Sequence, residues 1–257
     1  MVIKLLVLFF AIFESSAGWC PDVPPNTLSD LEIDAECIIL FNGINMDGWE
    51  YLRPLDSNWT IKDGVLTTSH LAPNRPSGAL TDIATTTNFT SGIFKFEWRL
   101  DAGGNSGVKY YCDLDALYHE TPNRKRSAVC PEYQILDDKG FFPDSWYPNR
   151  TAGALYELIP PYKHKPLNPL GEWNCGEIHT DGAYTEFWMN GALVVYFNRH
   201  SKSFREAVLR SKFKPIAQTF GQTETSPLVL QDHGQAAYFR SVKYCPVSNL
   251  SKRSVSY

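Results

Sequence analysis

The segment Ile93 to Leu100 places Phe94, Phe96, Trp98 and Leu100 at alternate positions, with Lys95, Glu97 and Arg99 between them. A period of two puts an aromatic row on one face of an extended strand and charge on the other. A helix of about 3.6 residues per turn would scatter that row around its circumference. The same extended habit recurs at Ala183 to Phe197, which reads as strand, Asn190-Gly191, strand. Asn-Gly between apolar runs is the strongest short hairpin signal, because both central positions need positive φ. Further turn pairs stand at Asn42-Gly43, Asp47-Gly48, Asp63-Gly64 and Asp181-Gly182. Helical signals are confined to Thr27 to Ala35 and Phe204 to Leu209, each too short for a packed helical layer. These features predict an all-β chain, a sandwich of short strands. Its 257 residues, 43% of them hydrophobic, are enough for one such domain or two smaller ones.

Residues 1–17, MVIKLLVLFFAIFESSA, carry Lys4, an apolar run from Leu5 to Phe13, and the small residues Ser15, Ser16 and Ala17. This is the pattern of a secretory signal peptide cleaved after Ala17. The run is shorter than the roughly 20 residues that span a bilayer, so no membrane span is expected in the mature chain. Six cysteines follow it, at 20, 37, 112, 130, 175 and 245, and an even number in an oxidising compartment predicts disulfides. Spacing leaves the pairing open; Cys112 with Cys130 is the favoured pair, since both lie in strand-like segments flanking the polar loop at Asn123 to Arg126. Sequons at Asn58, Asn88, Asn149 and Asn249 fit N-glycosylation on the same secreted, extracellular route. The net charge of -4 argues against a nucleic-acid partner, which calls for a basic surface.

Phe141 to Pro169 holds prolines at 143, 148, 160, 161, 166 and 169 among aromatic residues including Trp146, Tyr147 and Tyr156. Proline removes ladder donors, so this is a long loop, and a long loop on a β scaffold is expected to border a site. Four polar constellations are candidates for that site. Glu97 and Arg99 share the charged face of the aromatic strand, where a solvated ion pair would equally account for them. Gly103-Gly104-Asn105-Ser106-Gly107 permits close backbone approach to a ligand or another strand. In Glu132-Tyr133-Gln134-Ile135, a carboxylate and an amide project from one face over an apolar back. In Gln231-Asp232-His233-Gly234, Gln231 and His233 share a face, and His233 is suited to proton transfer near neutrality or to a structural role. No Gly-x-Ser-x-Gly elbow, His-Glu-x-x-His helix or phosphate loop is present.

Taken in order, LFNGINMDGWE (40–50), DGVL (63–66), FEWRLDAGGNSGV (96–108), EYQILD (132–137), AGALYELIPP (152–161), GEWN (171–174), MNG (189–191), LQDHG (230–234) and FRSV (239–242) resemble the 3-keto-disaccharide hydrolase domain family. The resemblance covers about Cys37 to Cys245, and divides the chain into a signal peptide (1–17), an N-terminal segment (18–36), one domain (37–245) and a C-terminal tail (246–257). It implies a concanavalin-like jelly roll of two antiparallel sheets with a carbohydrate site on a concave face. It also implies action on glycosides oxidised at carbon 3. A ketone there acidifies the carbon 2 proton, so a base can remove it, the enolate can expel the aglycone from carbon 1, and water can add afterwards. Such a reaction needs no oxocarbenium ion and no glycosidase carboxylate pair; it needs a base and a group that stabilises an enolate oxygen.

By this resemblance His233 or Glu132 is the base, while Gln134, Gln231, Asn105 and Arg99 hold hydroxyls or the enolate oxygen and Glu97 orients Arg99. A divalent metal on Glu132 and His233 could polarise the ketone. Asp137 and Asp232, on the opposite sides of their strands, are read as supports. The chain departs from the family pattern at Ser241, where asparagine is usual, and in its cysteines and sequons. The alternatives are a lectin-like module whose face only binds carbohydrate, and an extracellular interaction protein that keeps the scaffold.

Overall fold

The computed structural model describes residues 22–52, 58–68, 80–114, 128–141 and 147–247. The expected signal segment, Cys20, the loop at Asn123 to Arg126, Trp146 and the Asn249 sequon lie outside them. Among the described residues thirteen strands follow in chain order: β1 (Ile38–Ile39), β2 (Trp49–Tyr51), β3 (Trp59–Lys62), β4 (Val65–Thr68), β5 (Ile83–Thr85), β6 (Gly92–Leu100), β7 (Asn105–Lys109), β8 (Glu132–Leu136), β9 (Asn174–Asp181), β10 (Tyr184–Met189), β11 (Ala192–Asn198), β12 (Val229–Leu230) and β13 (Ala237–Pro246). They form two antiparallel sheets. The larger runs β11-β10-β9-β6-β13-β4-β3 with β1 also on β13, and the smaller runs β2-β5-β12-β7-β8. The chain is thus the all-β jelly-roll sandwich of two antiparallel sheets that its sequence predicts.

The aromatic row of β6 faces the space between the sheets. Phe94, Phe96, Trp98 and Leu100 are each no more than 3% exposed. Phe96 meets Tyr133 of β8 edge-on at 5.3 Å between ring centroids, and Tyr133 meets Phe187 of β10 at 5.1 Å, so the two sheets interlock through these rings. Gly176 of β9, paired with Phe96, makes this possible: a Cβ there would collide with the Phe96 ring. Asp63-Gly64 and Asn190-Gly191 both have positive φ throughout and close the β3–β4 and β10–β11 hairpins as expected.

Three short α-helices decorate the described residues: α1 (Asp30–Asp34), α2 (Asp138–Phe141) and α3 (Lys202–Arg210). On α3, Ser201 caps the helix by accepting from the Phe204 amide at 3.1 Å, and buried Phe204 and Val208 dock its apolar face on the core. That docking carries the chain on to Lys212 and Phe213 beside the small sheet. None of the described helices is long and apolar enough to cross a membrane.

The N-terminal segment is anchored on the large sheet by charge. Glu32 completes a capping box with Ser29 and is only 4% exposed, yet its carboxylate receives Lys243 at 2.7 Å and Lys95 at 3.2 Å. Burial pushes the Glu32 carboxyl up, but the lysines and the Ser29 amide outweigh it and hold the group below its ordinary value. Close by, Ser241 has a φ of 53° at the β13 bulge. This left-handed conformation suits asparagine better than serine. Here Asn26 supports Ser241 instead, exchanging hydrogen bonds of 2.8 and 3.1 Å with it. Cys37 and Cys245 are bonded beside this corner.

A carboxyl held low in the folded state stabilises the fold above its ordinary pKa near 4.5 and loses that contribution as pH falls through the folded value. Glu32→Gln leaves Lys243 buried without its counter-charge, and is expected to cost about 3–5 kcal/mol at neutral pH. Denaturant titrations between pH 3 and 7 should show the wild-type protein losing stability on acidification more steeply than the variant.

Candidate active site

The geometry begins with the alternation of β7 and β8. Ser106, Val108, Tyr133 and Ile135 are fully buried on the side of the sandwich interior, so Asn105, Gly107, Lys109, Glu132 and Gln134 face outward from the small sheet. Antiparallel register sets Lys109 opposite Glu132 and Gly107 opposite Gln134. After β12, Gln231 and His233 reach the same face. Asn105, Lys109, Glu132, Gln134, Gln231 and His233 line one pocket of about 320 Å3.

The proline-rich segment contributes Tyr156 to the lining of that pocket. Its stretch at 153–156 adds onto the free edge of β8: Gly153 donates to the Gln134 carbonyl at 2.8 Å, Gln134 to Ala154 at 3.1 Å, and Tyr156 to Glu132 at 3.1 Å. Tyr156 thereby reaches the rim, where its hydroxyl receives Lys212 at 3.1 Å and its ring lies under that ammonium. Cys112 and Cys130, joined in a disulfide, tie together the ends of β7 and β8 next to the pocket. Tyr147 of the same loop stacks on Arg150 and does not line the pocket.

At the floor lies Glu132, 6% exposed. With the two glutamine carboxamides turned to satisfy their hydrogen bonds, Glu132 Oε1 accepts from Gln134 at 3.2 Å and from Gln231 at 3.3 Å. Gly107 provides the room, since a Cβ there would overlap the Glu132 carboxylate. Burial raises the Glu132 carboxyl to about 7; Lys109 and Lys212 draw it down and Asp82 pushes it up. Lys109 is 2% exposed and donates to Asp82 Oδ2 at 2.8 Å. Burial alone would lower the Lys109 ammonium, but Asp82 and Glu132 outweigh it and hold it above its ordinary value, so it stays charged. Asn105 Oδ1 is buried in the same pocket with no hydrogen-bond partner among the described residues.

His233 is exposed at the rim, with Nδ1 2.8 Å from Gln235 Oε1. Asp232 turns the other way, accepting from Asn58, Thr81 and Gly234, and Asp137 accepts from Gly103 and Gly140. Both serve the loops that carry the pocket residues, as their side of the strand implies.

Three expectations need correction. Glu97 and Arg99 sit on the outer face of the large sheet, across the sandwich from the pocket: Glu97 binds Arg240 at 2.7 Å, and Arg99 lies on the rings of Tyr238 and Trp173. They cannot contact a ligand bound among Glu132, Gln134 and Gln231. The Asn58 sequon is hidden, since Asn58 is 2% exposed and its amide donates to Asp232 at 3.1 Å. Asn149 is half-buried and its amide donates to the Glu157 carbonyl, whereas Asn88 is exposed. A divalent cation on Glu132 and His233 fits poorly: the Lys109 ammonium already neighbours Glu132, and among the described residues no three His, Cys, Asp or Glu gather as a ligand set. Lys109 of the pocket and its partner Asp82 are residues that the sequence reading does not single out. Asn105, Gly107 and Lys109 lie two apart, the same period that singles out Glu132 and Gln134.

The molecule is thus a jelly-roll sandwich with a buried acid and two amides in a pocket on its small sheet. The chain belongs to the 3-keto-alpha-glucoside-1,2-lyase-like domain family, whose model matches residues 36–244. It is 27% identical to a 3-keto-disaccharide hydrolase of Bacteroides thetaiotaomicron over 83% of this chain and 79% of that protein. A solved candidate glycosyl hydrolase of Parabacteroides distasonis is 28% identical, covers 86% of this chain and 99% of its own, and superposes with a TM-score of 0.72. A second from the same organism, 22% identical over 82% of this chain and 98% of its own, has a TM-score of 0.59 and shares the fold.

Gly107→Ala tests the floor of the pocket. The added methyl must displace the Glu132 carboxylate, with an expected cost of about 1–3 kcal/mol in stability. A crystal structure of the variant should show Glu132 swung away from Gln134 and Gln231.

Proposed function

We propose that the protein is a secreted carbohydrate-active enzyme that cleaves 3-keto-glycosides by removing the carbon 2 proton and eliminating the aglycone. The observation that carries this reading is Glu132, a buried carboxyl raised to about 7 and backed by two amides in a pocket of sugar size. A carboxylate used only to bind hydroxyls gains nothing from being held so near its protonated state, whereas a base that must take a weakly acidic C–H proton gains basicity. The lectin-like alternative leaves that feature without a use. The family membership and the named relatives support a sugar substrate oxidised at carbon 3.

In this reading Glu132 accepts the carbon 2 proton, and the amides of Gln134 and Gln231 orient its carboxylate. Asn105 offers its unpartnered Oδ1 to a sugar hydroxyl. His233 at the rim gives a proton to the departing aglycone oxygen and regains it from solvent, and Tyr156 packs against the aglycone. Water then adds at carbon 1 of the unsaturated product as a proton returns to carbon 2, completing hydrolysis. The working unit is the domain at 37–245, flanked by 18–36 and 246–257 and preceded by a cleaved signal at 1–17. Two disulfides among the described residues support an extracellular setting.

Turnover of a 3-keto-glucoside with a phenolic aglycone, followed by phenol release, tests the reading. The base works only when ionised, so kcat/KM should climb with pH and level off above a midpoint near 7. Glu132→Gln should lower kcat by about 10²–10⁴-fold with its fold intact. Saturable sugar binding with no release of phenol by the unmodified protein would instead establish the lectin-like alternative.

A further inference from the structure

Arg99 was the cation expected to meet the enolate, and its position on the opposite sheet leaves that charge to be supplied from elsewhere. Lys109 is the ammonium at the pocket floor. Its Nζ has three N–H groups. One donates to Asp82 Oδ2 at 2.8 Å and a second to Gln231 Oε1 at 3.2 Å. No described residue accepts the third, although the side chain is 2% exposed and lines the pocket beside Glu132. On the neighbouring acid, Oε1 takes both glutamine amides while Oε2 receives no bond from a described residue. One open donor and one open acceptor therefore stand side by side on paired strands, at the cross-strand positions Lys109 and Glu132.

We propose that Lys109 is a second catalytic residue, donating its third N–H to the carbon 3 oxygen of a keto sugar while Glu132 Oε2 takes the proton from carbon 2. The inference rests on the proton-abstraction reading above. As the C–H bond breaks, its electron pair forms the carbon 2–carbon 3 double bond, and the carbonyl pair moves onto the carbon 3 oxygen as an enolate. Lys109 keeps its proton throughout and holds that oxygen by a charge-assisted hydrogen bond. When the pair returns and the ketone re-forms, a carbon 1–carbon 2 double bond appears. The bond from carbon 1 to the aglycone oxygen breaks, and its pair leaves with the aglycone. Asp82 fixes the ammonium: its Oδ2 binds Lys109 and its Oδ1 accepts from the Asp232 amide at 3.1 Å, tying the ion pair to the loop that carries Gln231 and His233.

The arrangement explains why a buried ion pair is tolerated here. A lysine and aspartate, both under 5% exposed, give no net stability that a hydrophobic pair would not match. Placed beside an acid that must cycle between charged and neutral forms, a fixed positive charge is useful when negative charge moves from the base to the substrate oxygen.

The test compares wild type, Lys109→Gln and the double variant Lys109→Gln/Asp82→Asn on the phenolic 3-keto-glucoside. The double variant leaves neither buried charge alone, so it remains informative if the single variant does not fold. Both should retain binding of methyl 3-keto-α-glucoside within about tenfold and lose about 10²–10³ in kcat, the range for deleting one oxyanion donor. The single variant should also move the acid limb of kcat/KM to higher pH, because the charge that draws the Glu132 proton off is gone. That shift follows from the lost charge alone, so the assignment rests on the plateau above the limb, which a purely structural lysine would leave at the wild-type kcat. Wild-type kcat in either folded variant overturns the assignment of Lys109, whereas absence of turnover in the wild type overturns the proton-abstraction reading itself.

Discussion

Tyr133 decides both halves of this molecule. Its ring is fully buried between Phe96 and Phe187 of the opposite sheet, and its hydroxyl donates to the Trp188 carbonyl at 3.3 Å. An extended strand that buries residue 133 must turn 132 and 134 the other way. The aromatic contact that locks the sandwich together therefore also aims Glu132 and Gln134 at the pocket. A slip of one residue in β8 would bury the acid in the core and expose the tyrosine, so selection for packing is at the same time selection for the site.

The rest of the pocket is arranged around the cost of burying Glu132. An isolated carboxylate removed from water neutralises unless something compensates it. Here the compensation is partial: two amides and a nearby ammonium support the charge, Asp82 opposes it, and the carboxyl settles near 7. Gly107 makes the space, the Cys112–Cys130 bridge fixes the strand ends, and the segment at 153–156 covers the edge of β8. Each of these holds the acid in place without fully stabilising its ionised form, which is what a base needs.

How much of this was legible in the sequence follows from what period two can and cannot say. It separated core from outer face on β6 and β8, and the Asn-Gly and Asp-Gly pairs marked the hairpins, because both are local properties. It paired Glu132 with Gln134 and Gln231 with His233 correctly. It could not say which sheet's outer face bears the pocket, so Glu97 and Arg99 were read into the site although they lie across the sandwich on the large sheet. Lys109 escaped notice because a lysine at a strand end reads as solvated, and its burial is created by Asp82, 27 residues away in the chain. Asn58 matched a glycosylation pattern, and only the fold reveals that Asp232 occupies its amide.

Charge and packing together support one proposal, that Glu132 removes the proton from carbon 2 of a keto sugar. Nuclear magnetic resonance of methyl 3-keto-α-glucoside in deuterated water reads that step without requiring the aglycone to leave in a detectable form. The wild-type protein should make the carbon 2 proton signal decay at neutral pH, through exchange or elimination, and Glu132→Gln should leave it at the uncatalysed rate. A carbon 2 signal that persists with the wild-type protein, or decays equally fast with Glu132→Gln, would contradict the account.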